Sequence, residues 1–274
     1  MFFLLSAVAC TAPQQAKQEA EKAGKAGNNQ PVRGVWLTNV ASQALYSPDS
    51  LRYAVDLIDS LGFNTIYVVT WNKAMTTYPS DIMEELTGVR IEPGLQGRDP
   101  LQELVSYAHK RDIRVLAWFE FGFAASYDEN GGILLKKRPH WKALDKDGNL
   151  ARKNHFEWMN SLHPEVQDFM ISLVMEVVRN YDVDGIQGDD RLPAMPSLAG
   201  YSDYTRKLYK AGHDGKEPPE NPKQFGWVQW RAQKLNDFMK RLHDSVKTYK
   251  PELVISMAPS VFPWSKKEYL QDWP

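Results

Sequence analysis

The sequence has a single cysteine, Cys10, in 274 residues. One cysteine excludes an intrachain disulfide and any zinc site built on cysteine pairs. There is no surplus of either charge, with 33 Lys and Arg against 34 Asp and Glu and a formal net charge of −1. That balance excludes a broadly basic nucleic-acid binder and a long acidic tail. No apolar run reaches the ~20 residues that span a bilayer. Apolar residues still make up 43% of the chain, too many for a largely disordered protein. The length suits one large domain or two small ones. Aromatic residues are abundant, at 12% with nine Trp; their flat faces stack on sugar rings, bases and other planar ligands.

Residues 1–10 read Met-Phe-Phe-Leu-Leu-Ser-Ala-Val-Ala-Cys. This short apolar stretch ending in Cys10 resembles the end of a bacterial lipoprotein signal, although a basic leading region is missing and Ala7 stands where a larger aliphatic residue is commoner. The competing reading is a plain apolar N-terminus. Residues 11–31 are mostly Ala, Gln, Lys, Glu, Gly and Asn and have little to bury, which predicts a flexible or weakly helical tether. Together they predict a lipid anchor at Cys10, a membrane partner and a place in the cell envelope, with the folded domain over 32–274.

From Arg33 the pattern alternates between strand and helix. Strands are predicted over 35–40, 63–70, 113–119, 183–189 and 253–257 from runs of β-branched and aromatic residues. Helices are predicted after Ser47-Pro48 and after Asp99-Pro100, where a capping side chain precedes a Pro at the first helical position. Further helices are predicted over 164–181, over 225–249 and from Lys266 onward. Connections from helix to strand are tiny, whereas 71–98, 122–163 and 191–223 read as long strand-to-helix loops. A trimmed face opposite an elaborated one is the layout of a (β/α)8 TIM barrel, whose active site lies at the strand C-termini. A doubly wound sheet is the alternative, disfavoured because no Gly-rich fingerprint follows the first strand. Only five βα units are visible where closure needs eight, so the reading is a TIM barrel truncated after about five units; an open five-stranded sheet complete as written is the competing one.

Chemistry concentrates at the strand ends. In Val183-Asp184-Gly185-Ile186-Gln187-Gly188-Asp189-Asp190-Arg191, alternation places Gln187 and Asp189 on one face. Asp189 then projects into the site, and Asp190 turns toward the next loop, where Arg191 is a ready partner. The competing role for these acids is capping the next helix. Glu120 follows Trp118 and Phe119 in a run of aromatics, and three roles stand open for it. It is a general acid with a raised pKa, a binder of sugar hydroxyls, or half of a buried ion pair. Trp36, Trp71, Lys73, Tyr78, Trp118, Asn160, Gln187, Asp190 and Arg191 are the substrate-binding candidates, with simple packing of the long loops as the competing role for the aromatics. His155 and His163 have no partner at metal-ligand spacing, and no metal or cofactor is predicted.

The segments Arg33-Gly34-Val35-Trp36, Thr65-Ile66-Tyr67-Val68-Val69 with Tyr78-Pro79-Ser80, Asp99-Pro100-Leu101 with Ala108-His109-Lys110-Arg111, His140-Trp141, Asn160 with Pro164, and 181–190 together resemble the bacterial family-ten-like glycosyl hydrolases, many of them lipoproteins. The resemblance covers about 33–274. It implies a TIM barrel acting on glycans, with members linked to peptidoglycan strands lacking stem peptides, and kinship in fold with the alpha-amylase clan. There a strand-four Asp is the nucleophile, and Asp189 occupies that position. Two features depart from the pattern: the fifth strand ends Met257-Ala258-Pro259-Ser260 with no carboxylate, and Glu120 stands where many relatives have Asn-Pro.

The leading expectation is a glycosidase acting on a polysaccharide or peptidoglycan strand, with Asp189 and Glu120 as the carboxyl pair. Because the fifth strand lacks an acid, a residue outside the chain is an equal candidate for the proton donor, and the chain alone is expected to be capable of inactivity. A non-catalytic glycan-binding lipoprotein and a hydrolase using Asp189 and Asp190 as metal ligands are the alternatives.

Overall fold

The computed structural model describes residues 31–273. Cys10, the 1–10 segment and the tether up to residue 30 lie outside the described residues.

The first strand, β1 (Gly34–Leu37), leads to helix α1 (Pro48–Ser60). Ser47 caps α1, its side chain accepting from the Ser50 N–H at 3.0 Å ahead of Pro48. Gly62, at φ +76°, turns the chain into β2 (Thr65–Val69). A small antiparallel hairpin follows, β3 (Trp71–Asn72) and β4 (Met75–Thr76), then α2 (Asp81–Thr87). Asp99 caps α3 (Pro100–His109) by accepting from the Gln102 N–H at 3.0 Å, and β5 (Arg114–Phe119) comes next.

The second insertion holds β6 (Ala124–Tyr127), α4 (Gly132–Lys137), β7 (Arg152–Lys153) and β8 (Phe156–Trp158), with the strands in the order β6-β8-β7 in an antiparallel sheet. Helix α5 (Pro164–Asn180) leads to β9 (Gly185–Gly188), and α6 (Asp203–Ala211) and α7 (Phe225–Tyr249) lead to β10 (Val254–Met257) and α8 (Trp264–Tyr269).

The three insertions, expected as long loops, are thus built structures. Helix α6 escaped the sequence reading because Asp203-Tyr-Thr-Arg-Lys-Leu-Tyr-Lys-Ala is short and mostly polar, with Thr205 its only buried side chain. Its aromatics instead pair with rings elsewhere, Tyr204 with His163 and Tyr209 with Trp227 and Trp230.

The central sheet runs β1-β2-β5-β9-β10, and every neighbouring pair is parallel. Strand order follows chain order without reversal. A doubly wound sheet has a reversal, so that alternative does not hold. Among the described residues the sheet is open, with β1 and β10 at its edges. One face presents Ile66, Val68, Val115, Ala117 and Ile186, which join one buried core with Leu51 and Val55 of α1, Leu101 and Leu104 of α3, and Met170 and Val174 of α5. The other face carries Trp36, Tyr67, Trp118 and Gln187.

That second face is concave. Trp36 Nε1 donates to Gln187 Oε1 at 2.7 Å although β2 and β5 lie between their strands. In a flat sheet three strand spacings separate β1 from β9 by about 14 Å. The contact therefore requires the sheet to curl toward this face.

Candidate active site

Two carboxyl groups meet at the C-terminal rim of the concave face. The pairing of β5 with β9 runs in register up to Phe119 opposite Gly188. The next residue on each chain is an acid, Glu120 on one and Asp189 on the other. Alternation sends both to the face that carries Trp118 and Gln187.

Two glycines let the following loops cross above this pair. Gly122 has φ +47°, and a Cβ there would collide with the Arg191 carbonyl. A Cβ on Gly188 would collide with the Met257 sulfur. The close approach brings the Phe123 N–H to the Arg191 carbonyl at 3.0 Å and seats Arg191 between the acids.

Arg191 Nη2 lies 3.2 Å from Asp189 and 3.8 Å from Glu120, Nη1 lies 2.8 Å from Asp190, and Nε donates to the Glu120 carbonyl at 2.9 Å. Its guanidinium rests 4.7 Å over the Phe156 ring.

Burial is the main force on the two acids. It pushes Glu120 up to about 7, aided by the charges of Asp189 and Asp190 and opposed by Arg191 and Lys73. Burial also raises Asp189, against Arg191 and the Asp190 N–H, which donates to Asp189 Oδ1 at 2.6 Å. The nearer guanidinium nitrogen and the backbone donor favour the charged form of Asp189, against burial and the charge of Asp190. The arrangement therefore sets a carboxyl that holds its proton up to about 7 beside one paired with a guanidinium.

Glu120 has a further partner that the sequence reading missed. Asn72, at the end of β3, donates through Nδ2 to Glu120 Oε2 at 2.8 Å. Asn39, Glu92 and Tyr46 extend this contact away from the acid. Asn72 closes β3, and nothing local in the sequence marks its contact with an acid 48 positions away. Asn39 and Glu92 lie 53 positions apart and carry no local signal.

The remaining candidates divide. Trp36 is half-exposed and stacks on Tyr67 with ring centres 4.9 Å apart, and Gln187 is buried under it. Lys73 is exposed in the turn of the β3–β4 hairpin, near enough to act on Glu120 electrostatically. Trp118 lies on the concave face between Val69 and Gln187 but is almost wholly buried.

Trp71, Tyr78 and Asn160 are buried against protein neighbours, which favours the competing role of packing over substrate contact. Trp71 is fully buried, donating Nε1 to the Gly122 carbonyl at 3.0 Å and meeting Phe169 edge-on. The Tyr78 hydroxyl donates to Glu176 at 3.0 Å beneath α5. Asn160 donates to Ser202 and Thr205 at 2.8 and 2.9 Å. Asp190 pairs with Arg191, and among the described residues no group of three His, Cys, Asp or Glu is placed to hold a metal ion.

A family model described as glycosyl hydrolase-like 10 matches residues 31–274. Glycosyl hydrolase DigH of Escherichia coli strain K12 is 25% identical over 263 residues, covering 85% of this chain and 56% of that protein. Glycosyl hydrolase YngK of Bacillus subtilis is 24% identical over 258 residues, covering 85% of this chain and 46% of that protein. The chain spans about half the length of the curated relatives it matches.

Among solved structures, the PgaB (BpsB) glycoside hydrolase domain from Bordetella bronchiseptica superposes with a TM-score of 0.60 at 15% identity, over 89% of this chain and 70% of that one. Alpha-L-fucosidase isoenzyme 2 from Paenibacillus thiaminolyticus gives 0.60 at 19% identity, over 83% of this chain and 32% of that one. These likenesses concern the fold.

Proposed function

The chain belongs to the glycosyl hydrolase-like 10 family, and from that premise we propose that it carries the cleavage centre of a glycosidase acting on glycan strands, with peptidoglycan strands lacking stem peptides as the substrate class. The observation that carries this reading is the placement of Glu120 and Asp189 in adjacent register, on the concave face, around one guanidinium.

Glycoside hydrolysis needs one carboxyl to protonate the leaving oxygen and another to attack the anomeric carbon or activate water. Glu120 keeps its proton up to about pH 7 because it is buried beside two other acids, so it is the donor. Asp189, paired with Arg191 at 3.2 Å, is the nucleophile or base. Trp36 offers a half-exposed indole on the same face for the apolar side of a pyranose, and Lys73 stands at the rim.

The same reading takes the curled five-stranded sheet as one arc of a (β/α)8 barrel. The unreversed strand order, the Trp36–Gln187 contact and the half-exposed edge strand β10 support it. The sequence around Cys10 supports a lipid anchor and an envelope location for the protein; fatty-acid labelling that vanishes in Cys10→Ala tests it. Asp189→Asn in the full-length protein tests the chemistry. It is expected to fold normally and release no sugar from glycan strands, and undiminished release removes Asp189 from the mechanism.

A further inference from the structure

Asn72 is 1% exposed, and both its amide protons are committed. Nδ2 donates to Glu120 Oε2 at 2.8 Å and to Asn39 Oδ1 at 2.9 Å, while its own Oδ1 is buried without a hydrogen-bond partner among the described residues. Asn39 passes the direction on, donating through Nδ2 to Glu92 Oε2 at 2.8 Å. The Tyr46 hydroxyl donates to Glu92 Oε1. Burial and Glu92 push Tyr46 up to about 12, so it stays a donor. Two amides thus bridge two carboxyl groups, with an N–H presented to each.

We propose that Asn72 is a positioning residue for Glu120. Anchored through Asn39 by Glu92, it holds Oε2 as an acceptor and leaves Oε1 as the oxygen that carries the proton. Oε1 is the oxygen on the Arg191 side, 3.8 Å from Nη2. A proton on Oε2 would confront the Asn72 N–H. To accept it, Asn72 would have to turn its amide and present Oδ1 to Asn39. Asn39 would then have to turn as well, placing its own oxygen against Glu92. An ionised Glu92 opposes that second turn. The charge of Glu92 therefore fixes, across two side chains, which Glu120 oxygen faces a bound glycan as an acid.

The other groups acting on Glu120 are Asp189, Asp190, Arg191 and Lys73, and none of them reaches Oε2 by a hydrogen bond among the described residues. The catalytic consequence rests on the reading of Glu120 as proton donor, whereas the titration that tests the bridge does not.

The test is carbon-13 NMR of the full chain labelled at glutamate carboxyls, with Glu120→Gln assigning the signal. The Glu120 midpoint should rise by about one unit in Asn72→Ala, a tenfold gain in proton affinity, because the donor to the charged form is lost. In Glu92→Gln it should also rise, since the amides are free to turn and accept the proton. Placed on top of Asn72→Ala, Glu92→Gln should give no rise, because the bridge is already cut. An unmoved midpoint in Asn72→Ala, or the same rise from Glu92→Gln in both backgrounds, overturns the proposal. If Asn72→Ala does not fold, the isosteric Glu92→Gln decides alone, and an unmoved or lowered midpoint overturns it. Failure of the protein to cleave glycans would defeat the functional reading and leave these titrations standing.

Discussion

Trp36 on β1 and Gln187 on β9 share a hydrogen bond of 2.7 Å across a face that two intervening strands would hold far apart if it were flat. The curl that makes this contact also turns the strand ends inward, so Glu120 and Asp189 converge on one guanidinium. Half of the Trp36 surface remains open above Gln187. Trp36→Ala is therefore expected to weaken glycan binding, raising KM several-fold with a smaller change in kcat. Trp36→Phe, which keeps a ring on Tyr67, should recover most of the loss. Steady-state kinetics on the full-length protein check this, and an unchanged KM in Trp36→Ala contradicts it.

Glu120→Gln should stabilise the fold while removing the acid. The folded protein holds the Glu120 proton up to about 7, against 4.5 for the free side chain. The sign follows from that order: between these values the folded state binds more protons than the unfolded one, so this residue's contribution to stability falls as pH rises and is lost above about 7. Replacing it with neutral Gln removes that loss, which is on the order of 2–3 kcal/mol for a group buried this far. Denaturant melts should show a gain at pH 8 that shrinks toward pH 5. A gain that grows toward acid pH would contradict the placement of Glu120.

Gly122→Ala should be costly although it adds one methyl group. Its φ of +47° disfavours any side chain, and the new Cβ would strike the Arg191 carbonyl. Strain and backbone displacement together predict a loss of about 2–4 kcal/mol. Arg191 should also be displaced, lowering activity in the fraction that folds. Unfolding curves close to those of the parent chain would show that the two loops do not approach as described.

Arg191→Lys should be far from conservative. A single ammonium cannot copy a guanidinium that reaches Asp189, Asp190 and the Glu120 carbonyl through three nitrogens. Turnover is expected to fall about a hundredfold or more, with the acid side of the pH profile moving upward as Asp189 loses its nearer cation. A profile that keeps its position would separate Arg191 from the ionisation of Asp189.

Much of this was legible in the sequence because the rules involved are local. Period-two alternation puts Gln187 and Asp189 on one face of their strand without knowledge of anything distant, whereas the register that sets Glu120 beside Asp189 comes from the fold. Ser47-Pro48 and Asp99-Pro100 mark helix starts by their own chemistry. What the sequence leaves open has a different cause. Whether Trp71, Tyr78 or Asn160 meets a sugar or a neighbour depends on Phe169, Glu176 and Ser202, which only the folded chain brings near. Residue type cannot separate an aromatic facing a ligand from one that fills the core. Asn72 was hidden for a similar reason: its importance lies in bridging Glu120 to Asn39, and neither contact has a sequence signature.

The most direct test of the Glu120–Asp189 centre compares two substrates of the full-length protein, a glycan strand and a dinitrophenyl glycoside of the sugar released from it. The aryl group departs without a proton, so it bypasses the acid. Glu120→Gln should lose cleavage of the strand by about a thousandfold while keeping substantial cleavage of the aryl glycoside, and Asp189→Asn should lose both. Equal losses on both substrates in Glu120→Gln, or wild-type strand cleavage in either variant, would contradict the account.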